Sequence, residues 1–495
     1  MRQDKLNKIL QKPIFLVLLT VFFVLHGYTE NFDVIPVADS LYLLGVYIAA
    51  SILVCWLFWL FYHDVGKSAI MSFAIMAFQF FFGSLQDTLK AGFAQGFFSR
   101  YSFLLPFFLV VFLLIIVGLR RRKNGVARVS AYLNVLFALL ILIDLVWLAD
   151  KALSTYDRNR PTSSHNIASC DTCARPDIYF LLFDEYSSST ALRELWNYDN
   201  DDLDNFLRQK GFSIQAYSRS NYNFTPFSIA STLNMDYLDI PNPRACTVKD
   251  YSACVSSIRN NRICSMLEAL GYEIVNYSIF DLDKNPSPVV EDFLPLKTKL
   301  ITSQTFLSRI RKDLFYHLLT GKFEIPWLSS DLIYTTYHNN EKIINATLKE
   351  SMSVSVKPKF VYSHIEMPHP PFYYSQDRKQ TDRNVLVEEN NKLSPSSYLG
   401  YLPKTNLVIK QLVNSIITNA KRPVVIILMG DHGFRTRQPE PYHFRNQNAV
   451  YTSFSTDNWF DPNISNVNEF RVLSNHLFQT SFSLLKDSTV FLRDK

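Results

Sequence analysis

The first 150 residues hold five apolar stretches: Ile14 to Tyr28, Leu41 to Tyr62, Ala69 to Leu85, Tyr101 to Leu119 and Ala131 to Leu148. A helix needs about 20 apolar residues to cross a bilayer. In lipid every backbone polar group must be satisfied within the segment. The succession therefore predicts a five-helix transmembrane domain over residues 1–150. The first and third stretches are short or polar at one end, so four spans plus a re-entrant segment is the alternative. Basic residues set the orientation. Arg2, Lys5, Lys8 and Lys12 precede the first stretch and Arg120, Arg121, Arg122, Lys123 and Arg128 follow the fourth, whereas Thr29 to Ser40 carries only acids. By the positive-inside rule the amino terminus is cytoplasmic, and five crossings place everything after Asp150 outside. No small-residue cleavage site follows Tyr28, so the first stretch reads as a span rather than a removed signal. The net charge of +6 follows from these flanks, and it is read as topology, with no nucleic-acid partner.

Inside the spans, Gln79, Asp144 and Pro106 are the polar or kinking exceptions. Asp144 is a candidate for lipid handling, against snorkelling to the outer interface or pairing with another helix. Residues 151–175 then form a polar linker with Cys170 and Cys173, read as a local disulfide outside the membrane rather than half of a zinc site. Cys246 with Cys254 is the second expected pair.

The organising stretch of the outer part is Lys421 to Arg435, KRPVVIILMGDHGFR. Val424 to Met429 is a continuous, largely β-branched run, the pattern of a strand buried on both faces of a parallel sheet. Asp431 and His432 follow it between Gly430 and Gly433, which are expected to let the chain turn sharply at the carboxyl edge of the sheet, where open α/β folds bind ligands. A carboxylate with an imidazole there suits a divalent metal; a capping Asp beside a solvated His is the plain alternative. The rest of the chain supplies partners. Asp177 to Phe183 is a second strand run ending in Asp184 and Glu185, and Lys359 to His364 leads into EMPHPPF with His369. Between the first two runs lies SNYNFTPFSIASTLNM, with Thr225 at a helix start and Pro226 after it. Thr225 suits a helix cap, and free N–H groups at such a start also suit an anion.

This set resembles the alkaline phosphatase superfamily over roughly residues 176–484, in particular sulfatase-like membrane phosphotransferases such as the lipoteichoic acid synthases and lipid A phosphoethanolamine transferases. The resemblance implies a doubly wound, mostly parallel sheet in an extracytoplasmic catalytic domain over residues 176–495. It implies a metal quartet of Glu185, Thr225, Asp431 and His432, with Asp184 a further ligand ranked below Glu185, as one divalent ion (Mn, Zn or Mg, with Ca also open). It makes Thr225 the nucleophile and His369 a substrate-binding or acid residue. Sulfatases of this superfamily carry a convertible Cys or Ser followed by an Arg; here Thr225-Pro226-Phe227-Ser228 offers neither. The implied reaction is transfer of phosphoglycerol or phosphoethanolamine from a membrane phospholipid to a cell-envelope glycan or lipid acceptor, through a covalent Thr ester, at a bacterial cell membrane. A sulfatase-like phosphodiesterase or sulfuric ester hydrolase, and a non-catalytic scaffold, are the alternatives.

The remaining elements are read from pattern. Asp201 to Lys210 is an acid-started helix with Gly211 beyond its end, and Ser213 to Tyr217 a strand. Thr305 to Leu318 and Asn340 to Ser351 are expected as surface helices, Leu399 to Ala420 as a long helix, and Val467 to Leu485 as a terminal amphipathic helix. Tyr442 to Tyr451 brings His443, Arg445 and Asn446 near the metal loop. Arg445 and Asn446 are substrate-binding candidates, although a surface salt bridge is the commoner role for such an Arg. No Walker loop or Rossmann glycine signature is present. A reporter fused after Asp150 is expected to be active only outside the cytoplasm and one fused after Arg122 only inside; the reverse pattern would overturn the five-span order.

Overall fold

The computed structural model describes residues 11–32, 35–92, 96–122, 126–158, 175–289, 298–319, 333–389, 393–435 and 439–494. The chain divides into two compact units, residues 1–162 with 295–316, and 163–294 with 317–495. The basic residues Arg2, Lys5 and Lys8, most of the linker, and Cys170 with Cys173 lie outside the described residues.

In the first unit, four helices among the described residues are long and apolar enough to cross a membrane: Val37–Tyr62, Val65–Lys90, Tyr101–Arg121 and Ala127–Leu153. The first stretch forms a shorter apolar helix, Phe15–Glu30, of 16 residues. At about 1.5 Å per residue it is shorter than the ~30 Å hydrocarbon layer. It is also enclosed: Phe15, Leu19 and Phe23 are buried, and Phe23 stacks on Phe80 with ring centroids 4.3 Å apart. By contrast Val37–Tyr62 and Tyr101–Arg121 leave Leu53, Trp56, Leu109 and Leu114 exposed, the pattern of lipid-facing helices. Asp144 is almost fully buried and meets His26 Nδ1 at 3.0 Å, which is the helix-pairing reading.

The helix expected on the surface at Thr305 to Leu318 belongs, in its described part, to this unit. Phe306 packs on Phe78 and Phe82, at 4.6 and 5.0 Å between centroids. Arg309 pairs with Asp87, and the Tyr101 hydroxyl donates to Asp313 at 2.6 Å. Gln79 accepts from Leu307 N at 3.3 Å, so its polar side chain is used here. A Cβ on Gly83 would stand 2.6 Å from Gln304 O, so glycine is what permits this approach. The polar and aromatic residues of the segment suit an amphipathic helix at the unit's edge.

The second unit is built on a six-stranded sheet in the order β2-β6-β5-β1-β4-β3. The strands are β1 Asp177–Phe183, β2 Ser213–Ile214, β3 Glu273–Tyr277, β4 Lys359–Ile365, β5 Val424–Gly430 and β6 Asn448–Thr452. The sequence runs for β1, β4 and β5 are strands, and they are mutually parallel neighbours with β1 central. β3 adds in parallel to β4, whereas β6 runs antiparallel to β5 and β2 antiparallel to β6. The sheet is thus mixed and mostly parallel. The strand expected over Ser213 to Tyr217 is assigned only at Ser213–Ile214; Gln215 N still donates to Asn448 O on β6, whereas Tyr217 N turns away to Pro462 O. β3 and β6 are short and lacked the apolar run that marked the others. Thr335–Met352 leads into β4, and Pro395–Asn419 returns to β5.

The terminal helix spans Asn466–Phe478 and not Val467 to Leu485. Gln479 turns left-handed at φ 54°, while Asn475 and Asn468 side chains accept from Phe482 N and Leu485 N. The chain beyond runs extended beside Asn221 to Asn223: Val490 N donates to Asn221 O at 2.9 Å and Leu492 N to Asn223 Oδ1 at 2.7 Å. The expected Cys246–Cys254 bridge is absent, and both are buried thiols. Cys246 is held in the loop before the cap of helix Val248–Arg259 by its N–H to Arg493 O, whereas Cys254 lies inside that helix.

Glu469 sits on the inner face of the terminal helix, fully buried, and accepts from Asn448 Nδ2 at 2.8 Å through Oε2 while Oε1 has no partner. Burial pushes its carboxyl from 4.5 up to about 7. The folded chain then binds the extra proton across that window, so this contribution is full below about 4.5 and is lost as pH rises through about 7. Thermal melts of the full chain from pH 5 to 8 are expected to show a smaller fall for Glu469→Gln than for wild type. Equal slopes would show that Glu469 is ionised in the fold.

Candidate metal centre and nucleophile

The site lies where β1, β4 and β5 end together. Phe183 is level with Gly430 and with Ile365, so the next residue of each outer pair, Asp184 and Asp431, leaves the sheet side by side. One ligand atom each from Asp184, Asp431 and His432 lies within 4.8 Å of the others, and all three residues are buried. His432 Nε2 is 3.2 Å from Asp431 Oδ2. Its Nδ1 is 2.9 Å from Gly433 O. A carbonyl only accepts, so Nδ1 carries the hydrogen and Nε2 presents a lone pair to the site, the form that ligates a metal.

The bracketing glycines are needed for a reason other than a left-handed turn. A Cβ on Gly430 would fall 2.5 Å from Tyr186 O, and one on Gly433 2.2 Å from Tyr442 O. Neither has a positive φ. They let the metal loop lie against two other backbones.

Glu185 takes a different path from Asp184. It adopts φ +59°, in the left-handed region, where a non-glycine residue costs energy that the surroundings must offset. The Tyr398 hydroxyl donates to Glu185 O at 2.9 Å, and Ser187 N donates to that hydroxyl at 3.1 Å. Glu185 N donates to Asp431 Oδ1 at 2.8 Å. The Glu185 carboxylate accepts from Arg435 Nε at 2.6 Å through Oε1. Glu185 therefore stands outside the three-residue cluster, one residue from it.

Thr225 is the first residue of helix Thr225–Asn234, and Phe224 is the N-cap with no side-chain capping bond. The capping role is thus not used. Thr225 Oγ1 instead lies 3.4 Å from Asp184 Oδ1 and 3.3 Å from His432 Nε2. Ser228, one turn on, fastens the helix to the loop by donating to Asp431 O at 2.6 Å. The helix start offers an anion little. Pro226 has no N–H, and Phe227 N and Ser228 N both donate to Phe224 O. The cation that replaces them is Arg435, whose guanidinium lies over the Phe224 ring at 5.2 Å. Sequence reading quoted Arg435 without giving it a role. It also missed His364, which sits on β4 opposite Leu182 with Nε2 3.6 Å from Asp184 Oδ2. His369 donates from Nδ1 to Pro370 O at 2.7 Å, freeing Nε2.

Of the substrate-binding candidates, Asn446 is fully buried and committed to backbone, donating to Gly430 O at 2.6 Å and contacting Asn466 at 3.0 Å. Arg445 stacks over Tyr217 and Tyr442 at 5.6 and 6.0 Å.

Electrostatics favour a cation here. Burial and the neighbouring Asp184 charge push Asp431 up to about 8. Asp184 is also buried, yet His369, His364 and His432 hold it well below the usual carboxylate range. Burial and Arg435 push His432 down to about 4, which keeps the imidazole neutral. Two buried carboxylate oxygens at the site, Asp431 Oδ2 and Glu185 Oε2, have no hydrogen-bond partner, and His432 Nε2 adds a nitrogen acceptor. Unsatisfied oxygen and nitrogen acceptors around two close carboxylates fit a divalent cation.

Residues 263–466 match the Sulfatase family model. No curated protein matches the sequence. Among solved structures the chain is similar to the C-terminal periplasmic domain of EcEptC from Escherichia coli, at 10% identity, 61% of this chain and 82% of that one, with a TM-score of 0.37. It is similar also to the integral membrane lipooligosaccharide phosphoethanolamine transferase EptA from Neisseria meningitidis, at 12% identity, 94% and 95% coverage and a TM-score of 0.36. A third is the periplasmic domain of phosphoethanolamine transferase EptC from Campylobacter jejuni, at 11% identity, 64% and 94% coverage and a TM-score of 0.33.

Proposed function

We propose that this chain, which carries a sulfatase-like domain of the alkaline phosphatase superfamily, is a metal-dependent membrane phosphotransferase that moves a phospholipid headgroup to a cell-surface acceptor. The observation that carries the reading is the Thr225 hydroxyl, buried between Asp184 and His432 and free of any capping bond. The site sits on a unit attached to four apolar helices of membrane-spanning length, which suits a donor that never leaves the bilayer. We take the Phe15–Glu30 helix as the fifth span, with the amino terminus inside, the catalytic domain outside and its sheet doubly wound.

Asp184, Asp431 and His432 would hold the cation, with Glu185 Oε2 as a further donor; Mn, Zn, Mg and Ca remain alternatives. When bound, a divalent ion lowers the pKa of a hydroxyl and offsets charge on phosphoryl oxygens. The chain's own residues do the rest. Asp184 Oδ1 orients the Thr225 hydroxyl and takes its proton as the oxygen attacks phosphorus. The new Thr225 O–P bond replaces the bond to the lipid alcohol, whose oxygen takes the Nε2 proton of the His369 imidazolium. Arg435 faces the phosphoryl oxygens, where its fixed fork suits two of them. The acceptor alcohol then attacks the Thr225 ester and gives its proton to His369, and Thr225 leaves with the proton that Asp184 returns.

A second reading, hydrolysis of a phosphodiester or sulfuric ester with water as acceptor, is favoured by one feature: Asp184 joins the cluster ahead of Glu185, and two consecutive acids at this strand end resemble the sulfatase pattern. Against a sulfate ester stands Thr225 itself, which is not a convertible Cys or Ser.

Thr225→Ala is expected to abolish turnover of a phosphodiester substrate with little change in the thermal melt, because no capping bond is lost. Thr225→Ser keeps the hydroxyl and is expected to retain activity. Mass spectrometry of trapped wild-type enzyme should find the transferred group on the Thr225 peptide. A folded Thr225→Ala protein with near-normal turnover would exclude the scheme.

A further inference from the structure

Two polar cavities open beside the β2–β6 edge, away from the metal cluster, and they share a wall. The first has a volume of about 250 Å³ and is lined by Ser189, Asp204, Arg208, Phe212 and Gln447. The second, about 310 Å³, is lined by Tyr217, Arg219, Glu440, Phe444, Arg445 and Asn463. Thr190 lines the first and Arg445 the second, and Arg445 Nη1 reaches Thr190 Oγ1 at 3.5 Å. Ala216 and Tyr217 stand on opposite sides of the same wall.

The lining is built and incompletely satisfied. Gln447 is 2% exposed, and its Nε2 is buried without a hydrogen-bond partner while Oε1 accepts from Ser189 N at 3.2 Å. Arg219 Nε is likewise buried and unpartnered. Leaving a buried donor without its hydrogen bond is costly, and a ligand acceptor would restore that bond. The charged groups pair unevenly: in the first cavity Arg193 lies 2.8 Å from Asp201, so that cavity is balanced. Arg208 lies 3.9 Å from Asp204, and Arg219 lies 3.4 Å from Asp487. Arg445 has no carboxylate partner among the described residues; it rests on the Tyr217 and Tyr442 rings. Polar walls, an aromatic face in each cavity and an uncompensated guanidinium are what a ring rich in hydroxyls and bearing an anionic group requires.

We infer that the two cavities form one groove that binds an anionic oligosaccharide, a sugar ring in each cavity with its carboxylate or phosphate on Arg445 and Arg219. This rests on the phosphotransferase reading for its role, holding the part of the acceptor distant from the reacting hydroxyl, and not for its existence. The groove also touches the chemistry through backbone. Gly430 N donates to Gln447 O at 2.8 Å and Gly433 N to His443 O at 2.9 Å, so one segment both walls the groove and backs the metal loop.

The test is calorimetric titration of the full chain in detergent with trigalacturonate, maltotriose and inorganic phosphate. Trigalacturonate is expected to bind, with maltotriose and phosphate each about tenfold weaker or worse. Arg445→Gln and Arg219→Gln should each weaken trigalacturonate by about tenfold, and Thr225→Ala should bind it as wild type does. Should Arg445→Gln fail to fold, Arg219→Gln still decides. No binding of trigalacturonate, binding unchanged in both Arg variants, or phosphate alone binding as tightly would each overturn the groove. Turnover without trigalacturonate binding overturns the groove and leaves phosphotransfer standing; binding without turnover supports the groove and counts against phosphotransfer.

Discussion

Two buried carboxylates, Asp184 and Asp431, leave adjacent parallel strands at the same level. Taking one such charge out of water is costly, and two together repel as well. The surroundings answer this at every contact. His364, His369 and His432 face Asp184, Glu185 N and Ser228 hold Asp431, and Arg435 closes the cluster from the Glu185 side. A site so arranged is most stable when a cation shares the two charges. The same arrangement brings the Thr225 hydroxyl in from a third direction, on a helix fastened to Asp431 through Ser228.

The supports reach far along the chain. The carboxy-terminal strand lies beside Asn221 to Asn223 and so braces the loop that delivers Thr225. Asn446 and Asn466 hold the carbonyls of Gly430 and Asp431 from behind. These are buried amides with their bonds made, which fixes one loop conformation.

The strands that carry the site were legible because β1, β4 and β5 are buried on both faces and read as continuous apolar runs. The two short strands were not, since β3 and β6 show no such run. At the end of β1 the sequence shows adjacent acids, and which one enters the cluster depends on where the strand stops and on the left-handed turn at Glu185. Neither is written in residue type. His364 lay hidden inside a strand, and only the register opposite Leu182 brings it to Asp184. Gly430 and Gly433 were marked as special for the wrong reason, because the backbones they meet, at Tyr186 and Tyr442, lie elsewhere in the chain. Thr305 to Leu318 read as surface for the same cause: the Phe306 and Arg309 contacts are with residues more than 200 positions earlier.

The central claim is that Asp184, Asp431 and His432 form one cation site against Thr225. The direct measurement is titration of Mn and Zn into the chelator-stripped full chain, wild type beside Asp184→Asn and Glu185→Gln. Wild type is expected to bind one ion per chain. Asp184→Asn should weaken it by about 10–100-fold, and Glu185→Gln by less. No stoichiometric binding to the wild type, or an affinity that Asp184→Asn leaves unchanged, would contradict the account.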